Sequence, residues 1–279
     1  MKMGMTIESY EGMPAGTLLI FAKALSLNHI EINVRIIPEI EEFIAKLGKF
    51  TTTFHLPIVE VEGYDPGAKN PDNRKKMSDV ISFINKYHTE LNMLYTLAHP
   101  PDLKESDFEF FIENIQQIQT PIILENIPWQ KDKDFIEFYL NAKDRLGKQL
   151  AGHAIDGPHR YLTDPENWLD VPKILEDEIV YVHLQDTNKD FDAHLPLGEG
   201  EMPHREFLKY LKKINYQGVI NQEIRPKGLD LEPIMNSCLE IARVMSKAKY
   251  LKLRTKYAFL KPILRKKITQ AAKSRALGK

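Results

Sequence analysis

Ile179-Val-Tyr-Val-His-Leu-Gln-Asp186, followed by Phe191-Asp-Ala-His-Leu-Pro-Leu-Gly-Glu-Gly-Glu201, is the stretch on which the reading of this chain turns. Its first half is apolar and β-branched and then becomes polar, which predicts a buried strand whose C-terminal end faces something other than core. The polar end begins with His183. A loop carrying Asp192 and His194 follows, and then a Leu-Gly-Glu-Gly turn. Parallel α/β proteins place their chemistry at the C-terminal ends of strands, so whatever reaches the ends of the neighbouring strands arrives at the same place.

Working outward, seven more short apolar runs predict strands beginning near Lys2, His29, Thr51, Asn92, Pro121, Leu150 and Gly218. Segments with helical spacing separate them: Leu18, Ile20, Phe21 and Leu25 in the first, Ile40, Phe43, Ile44 and Leu47 in the second, and Met77, Val80, Ile81 and Ile84 in the third. Phe108 to Ile115, Phe135 to Tyr139, Trp168 to Leu175, Phe207 to Leu211 and Ile234 to Val244 supply the other five. Pro38, Pro165, Pro203 and Pro233 stand where helices start, a position that tolerates proline. Eight alternations of β and α predict an α/β fold, a (β/α)8 TIM barrel over residues 1–246, and a length of 279 residues suits it. The alternative is an open doubly wound sheet, but no Gly-x-Gly-x-x-Gly follows the first strand, so a dinucleotide fold has no support.

No apolar run is long enough to span a bilayer. The single Cys238 excludes an intramolecular disulfide and any Cys-rich zinc site; with no signal-like segment, the expected compartment is the cytoplasm. The net charge of -1 conceals an asymmetry. Residues 247–279 carry twelve Lys or Arg and no Asp or Glu, which leaves 26 basic against 39 acidic residues in the body. An acidic body argues against nucleic acid as the partner. Tyr257, Leu260, Leu264, Ile268 and Ala271 recur at helical spacing among the basic residues. Residues 247–279 are therefore expected to form a basic helical extension, either packed on the barrel or offered to an anionic membrane or nucleic acid.

Six consecutive strands bring His or carboxylate to one mouth. The third ends in His55, the fourth in His99, the fifth in Glu125, the sixth in Asp156 and His159, the seventh in His183 with Asp192 and His194 on its loop, and the eighth in Glu223. Taken singly, a strand-end His is more often a packing residue and an Asp a helix cap. Taken together, imidazole and carboxylate without thiolate suit a divalent metal, Zn²⁺ or Mn²⁺ foremost and Co²⁺, Fe²⁺ or Mg²⁺ besides. Clustered carboxylates also repel one another without a cation. The polar run Asn70 to Lys76 reads as a solvated loop, Lys104 and Lys131 as solvated lysines, and His29, His88, His153 and His204 as structural.

The motifs Glu125-Asn126, Asp156-x-x-His159, His183-Leu-Gln-Asp186, His194-x-Pro-Leu-Gly-Glu-Gly-Glu201 and Glu223-x-Arg225 together resemble the xylose-isomerase-like TIM-barrel superfamily, over nearly the whole chain to about Ser246. That resemblance implies two kinds of activity. In sugar isomerases and epimerases, one divalent ion is held at the positions of Glu125, Asp156, His183 and Glu223. Glu125 and Glu223 would also shuttle a proton next to a carbonyl, and His159 and Arg225 would bind substrate oxygens. In the zinc-dependent apurinic endonucleases three zinc ions are bound, and the additional ligands correspond to His55, His99, His159, Asp192 and His194. The sixth strand, Gly152-His-Ala-Ile-Asp-Gly-Pro-His159, departs from the Cys-containing sequence usual in the endonucleases. The loops also lack the basic and aromatic stretches that enter DNA. The expectation is therefore a metal-dependent sugar or sugar-phosphate isomerase or epimerase with a small carbohydrate substrate, the alternative being a multi-zinc endonuclease or phosphodiesterase.

Overall fold

The apolar runs form β1 (Lys2–Thr6), β2 (His29–Ile32), β3 (Thr51–His55), β4 (Met93–Ala98), β5 (Ile122–Glu125), β6 (Leu150–Asp156), β7 (Ile179–His183) and β8 (Val219–Gln222). Each pairs in parallel with the next, and β1 pairs with β8, so the sheet closes into the expected eight-stranded barrel. The computed structural model describes residues 1–8, 14–102, 104–225 and 232–276, with side chains as far as residue 262.

Because successive side chains on a strand point to opposite faces, each strand serves two layers. In β2, Ile30 and Ile32 join the apolar layer between barrel and helices, while His29 meets Tyr181 of β7 across the interior. Leu97, Ile123, Ala154, Tyr181 and Val219 fill the barrel itself. This plug supports the polar residues above it at the C-terminal mouth, as expected of a packed rather than hollow barrel.

The connections are α1 (Ala15–Ala24), α2 (Ile40–Leu47), α3 (Val59–Glu62), α4 (Pro71–Tyr87), α5 (Phe108–Gln116), α6 (Asp132–Leu146), α7 (Gly157–Thr163), α8 (Lys173–Glu176), α9 (His204–Lys213) and α10 (Glu232–Met245). Three differ from the expectation. The Asn70 side chain accepts from the backbone N–H groups of Asp72 and Asn73, and Pro71 takes the first helical position, so Asn70 to Lys76 opens a helix instead of forming a loop. The sixth connection is not one helix but two short ones. Asp156 caps α7 directly at the strand end, and Trp168 is buried in the turn before α8. In α1 the buried face is Leu19 and Ala22; Ile20 is exposed, while Leu18 and Phe21 line the mouth.

The C-terminal helix α11 (Lys247–Ala276) begins two residues after α10 ends. Leu253 and Tyr257 are buried. The Tyr257 hydroxyl donates to the Leu25 carbonyl at 2.6 Å, and Lys256 Nζ donates to Ser26 Oγ at 2.6 Å. Leu25 and Ser26 lead into β2, so this contact lies at the end of the barrel away from the mouth. The side chains of Leu264, Ile268 and Ala271 lie outside the described residues. No helix among the described residues is long and apolar enough to cross a membrane.

Candidate metal centre at the barrel mouth

Glu125, Asp156, His183 and Glu223, one from each of four consecutive strand ends, bring ligand atoms within 4.8 Å of one another. His183 Nδ1 lies 3.0 Å from Glu125 Oε1, 3.4 Å from Glu223 Oε2 and 3.8 Å from Asp156 Oδ2. Ligands at the usual 2.0–2.1 Å from a tetrahedral ion stand about 3.4 Å apart, so the spacing suits a single cation between them. Asp156 answers to both readings of its sequence position. Its Oδ1 caps α7 by accepting from the His159 N–H, and Oδ2, which accepts from Gln185, faces the cluster.

The remaining candidates surround this group. His55 and His99 form a second convergent set with Glu125. His99 Nε2 sits 3.2 Å from Glu125 Oε2, yet both atoms are buried without a hydrogen bond. Buried polar atoms left side by side without a hydrogen bond call for a partner, and a cation could supply it. On the other side, Asp192 Oδ2 is 3.3 Å from His159 Nε2 and 2.9 Å from His194 Nε2, and Asp192 Oδ1 is also unpartnered. Nδ1 of His55, His159 and His194 contacts the backbone carbonyl of Leu56, Asn126 and Glu223 respectively. A carbonyl can only accept, so each Nδ1 carries a proton and Nε2 is the ring atom left to face the other candidate ligands. Metal-binding histidines are tethered in this way. The donor set thus fits a divalent metal at Glu125, Asp156, His183 and Glu223.

The electrostatics follow from packing so much charge under cover. Burial would raise Glu125, but His183 and His99 hold it well below the usual carboxylate range. Burial pushes Glu223 well up, helped by Glu31, Glu125 and Asp156 against the pull of His183. Asp156 is pushed to about 6, first by burial and then by Glu125 and Asp192. Burial and His99 bring His55 down to about 4. His159 would fall on burial, but Asp156, Asp192 and Glu125 carry it to about 10.

The loop that carries Asp192 and His194 is built around Asp186. Its carboxylate accepts from the backbone N–H groups of Thr187, Gly198 and Met202, and its backbone pairs with Leu195. Gly200 lies so close that a Cβ there would stand 2.5 Å from Asp186 Oδ1. His194 adopts a left-handed backbone, φ 48°, which a non-glycine residue holds only when its surroundings insist. Here its ring is tied to the Glu223 carbonyl, and its own carbonyl accepts from the Arg225 N–H.

Sequence reasoning passed over Glu31. It is fully buried in β2, and its Oε2 is 2.7 Å from His183 Nε2. It also missed the work of His153, whose Nε2 meets Asn126 Oδ1; Asn126 in turn holds the Asp156 backbone through both N–H and C=O. A cavity of about 850 Å³ opens over the cluster. Leu18, Phe21, Ile58 and Trp129 are among its walls, with Glu8, Glu60, Glu62, Arg35, Lys104 and Arg225.

Residues 19–243 match the family described as xylose isomerase-like TIM barrel. The chain belongs to that family. Two uncharacterized Methanocaldococcus jannaschii proteins of the curated set resemble it: MJ1614, 32% identical over 47% of this chain and 51% of its own length, and MJ1311, 41% identical over 23% and 22%. The chain thus spans about half, and about a fifth, of the relatives it matches. Among solved structures, a D-tagatose 3-epimerase-like protein superposes with a TM-score of 0.62 at 21% identity, covering 92% of this chain and all of its own. A family 2 AP endonuclease from Brucella melitensis gives 0.61 at 15% identity, covering 81% and 94%. The TTHB071 protein of Thermus thermophilus, soaked with ZnCl2, gives 0.63 at 18% identity, covering 88% and 98%. At such identities these neighbours establish the fold that xylose isomerase-like barrels share, and they include both epimerase-like and endonuclease proteins.

Proposed function

We propose that this barrel is a divalent-metal-dependent isomerase or epimerase that moves a proton next to the carbonyl of a small carbohydrate. The observation that carries the reading is the pair Glu125 and Glu223, delivered from β5 and β8 to flank one atom, His183 Nδ1, at 3.0 and 3.4 Å. Glu125, Asp156, His183 and Glu223 would hold the ion, which when bound polarises carbonyl and hydroxyl oxygens. The chain does the rest. Glu125, kept ionised by His183 and His99, accepts a proton from carbon, and its unpartnered Oε2 is the free atom for it. Glu223, 3.4 Å from His183 Nδ1 on the other side, returns one to the opposite face. Two carboxyl groups pushed in opposite directions are the usual mark of an acid–base pair. Arg225 and His159, both in the cavity wall, would orient substrate oxygens. The acidic walls at Glu8, Glu60 and Glu62 weigh against a polyanionic duplex.

A separate observation favours a second reading. His55, His159 and His194 all carry the backbone tether of a metal ligand, and with His99, Asp192 and a shared Glu125 they form two further clusters. That arrangement suits a multi-zinc phosphodiesterase or apurinic endonuclease, in which clustered ions activate water and stabilise a leaving oxygen.

The test is elemental analysis of protein purified without chelator, beside turnover of a panel of ketoses and ketose phosphates. Wild type should carry a divalent ion and interconvert at least one sugar. Glu125→Gln and Glu223→Gln should lower kcat by about 10²–10⁴ with the fold intact by circular dichroism. Full activity of metal-free wild type in strong chelator would remove the reading.

A further inference from the structure

A line of hydrogen bonds runs through the closed barrel from its far end to the candidate metal centre. Lys2 Nζ donates to Thr51 Oγ1 at 3.1 Å. Thr51 Oγ1 meets His29 Nδ1 at 3.0 Å, His29 Nε2 meets the Tyr181 hydroxyl at 3.1 Å, and that hydroxyl donates to Glu31 Oε2 at 2.9 Å. Glu31 Oε2 lies 2.7 Å from His183 Nε2. His29, Glu31, Tyr181 and His183 are all within 1% of complete burial.

The protons can be placed by exclusion. Tyr181 has one, and it goes to the Glu31 carboxylate. Tyr181 therefore accepts from His29, whose Nε2 carries the hydrogen. Burial holds His29 down at about 3, so the ring is neutral and Nδ1 accepts. The Thr51 hydroxyl gives its proton there, a shorter contact than its alternative at 3.4 Å to the Asn28 carbonyl, and its lone pair receives the Lys2 ammonium. Every bond in the line points the same way, toward Glu31. From the other side Asn221 Nδ2 donates to Thr6 Oγ1, which donates to Glu31 Oε1. Both Glu31 oxygens are thus engaged as acceptors and held in one orientation.

We infer that Glu31 is the positioning residue of the metal centre. As an acceptor it fixes a hydrogen of His183 on Nε2 and turns Nδ1, the atom that would hold the ion, toward Glu125, Asp156 and Glu223, and the directed line from Lys2 through Tyr181 holds Glu31 in place. Carboxylates behind metal-bound histidines set ring tautomer and orientation in this way, and removing them typically costs about 10–100-fold in metal affinity. The inference rests on the metal-binding reading of the four ligands, and its test separates the two.

The experiment measures Zn²⁺ and Mn²⁺ affinity by competition with a chromophoric chelator in wild type, Glu31→Gln and Tyr181→Phe, together with ¹⁵N imidazole shifts that report which His183 nitrogen bears the hydrogen. Thermal melts in chelator check that each variant is folded. Wild type should bind tightly, Glu31→Gln about 10–100-fold more weakly, and Tyr181→Phe in between. In Glu31→Gln the ¹⁵N shifts of the His183 ring should move away from the wild-type ones. Wild-type affinity and an unchanged His183 signal in Glu31→Gln would overturn the inference alone, and in Tyr181→Phe, which retains the carboxylate, they would overturn the part played by the line. If Glu31→Gln does not fold, Glu31→Asp, which draws the carboxylate back from His183 Nε2, takes its place: weaker ion binding supports the inference, and wild-type affinity with an unchanged His183 signal overturns it. Wild type that takes up no ion would overturn the metal-binding reading and the inference with it.

Discussion

At the scale of single residues, the barrel interior keeps two histidines neutral where water would charge them. Burial brings both His29 and His153 from the ordinary imidazole value to about 3; for His153 the Arg160 guanidinium adds to it. An unfolded chain binds a proton at each near pH 6.5 and the folded chain does not. Their contribution to stability is therefore complete above pH 6.5 and is lost as pH falls from 6.5 toward 3, by at most about 1.4 kcal/mol per pH unit for each residue. Urea unfolding between pH 5 and 7 should show His153→Gln with a shallower acid slope than wild type. Asp156, raised to about 6, titrates in the same window with the opposite sign and cancels in that comparison. Equal slopes would show that His153 titrates in the fold as it does in the unfolded chain. The residue scale is also where the sequence was least legible. His29-Ile-Glu-Ile32 alternates, and the phase that sends Ile30 and Ile32 outward sends Glu31 inside. A strand of four residues has too few repeats to fix that phase, and Glu31 ends no strand and belongs to none of the motifs, so it drew no notice. His55, His99, Glu125, Asp156 and Glu223 were visible because each stands at the polar end of an apolar run.

At the scale of elements, the loop after β7 depends on one side chain. Three backbone N–H groups converge on the buried Asp186 carboxylate. Asp186→Ala should leave them unpaired and cost about 1–3 kcal/mol for each that water does not reach. The measurable results are a lower Tm and loss of whatever affinity Asp192 and His194 contribute. Gly200→Ala should do the same through collision with Asp186 Oδ1. An unchanged Tm in both variants would mean the loop is held by other contacts. Its Leu-Gly-Glu-Gly run was legible as a turn, but the reason for it was not, since Asp186 meets Gly198 twelve positions away. Composition misled at α4, where polarity suggested a loop although Asn70-Pro71 is a cap followed by a first-turn proline. For α11 the burial of Leu253 and Tyr257 decides what truncation does. Each side chain contributes about 1.5–3 kcal/mol if fully buried. A chain ending at Ser246 should melt at a lower temperature than one ending at Pro262. Equal melting temperatures would show the helix to be an appendage throughout.

At the scale of the whole molecule, charge and metal geometry pull toward different chemistry. Nine candidate ligands gather at one mouth, enough for more than one ion, yet the chain outside residues 247–279 carries 26 basic against 39 acidic residues. The four residues Glu125, Asp156, His183 and Glu223 serve both chemistries, so their variants cannot choose between them. His99 and Asp192 can. Neither belongs to the four-residue cluster; His99 converges on Glu125 from one side, and Asp192 meets His159 and His194 on the other. In a one-metal isomerase they line the substrate cavity. His99→Ala and Asp192→Ala should then keep the tightly bound ion while ketose turnover falls, by about 10–100-fold for a lost hydrogen bond to substrate worth about 1.5–3 kcal/mol. In a multi-zinc hydrolase each substitution removes a ligand, and both bound zinc and phosphodiesterase activity fall together. A duplex also needs several phosphate contacts from Lys or Arg, whereas a compact sugar or sugar phosphate needs one or two, and Arg35, Lys104 and Arg225 are the basic residues among the described cavity walls. Bound metal and incision of an abasic-site duplex, measured beside ketose isomerisation in wild type and both variants, separate the outcomes. The expected result is one retained ion per chain, sugar turnover and no incision. Efficient metal-dependent incision by wild type, lost in both variants, would reverse the assignment and make His55, His99, His159, Asp192 and His194 ligands of further ions.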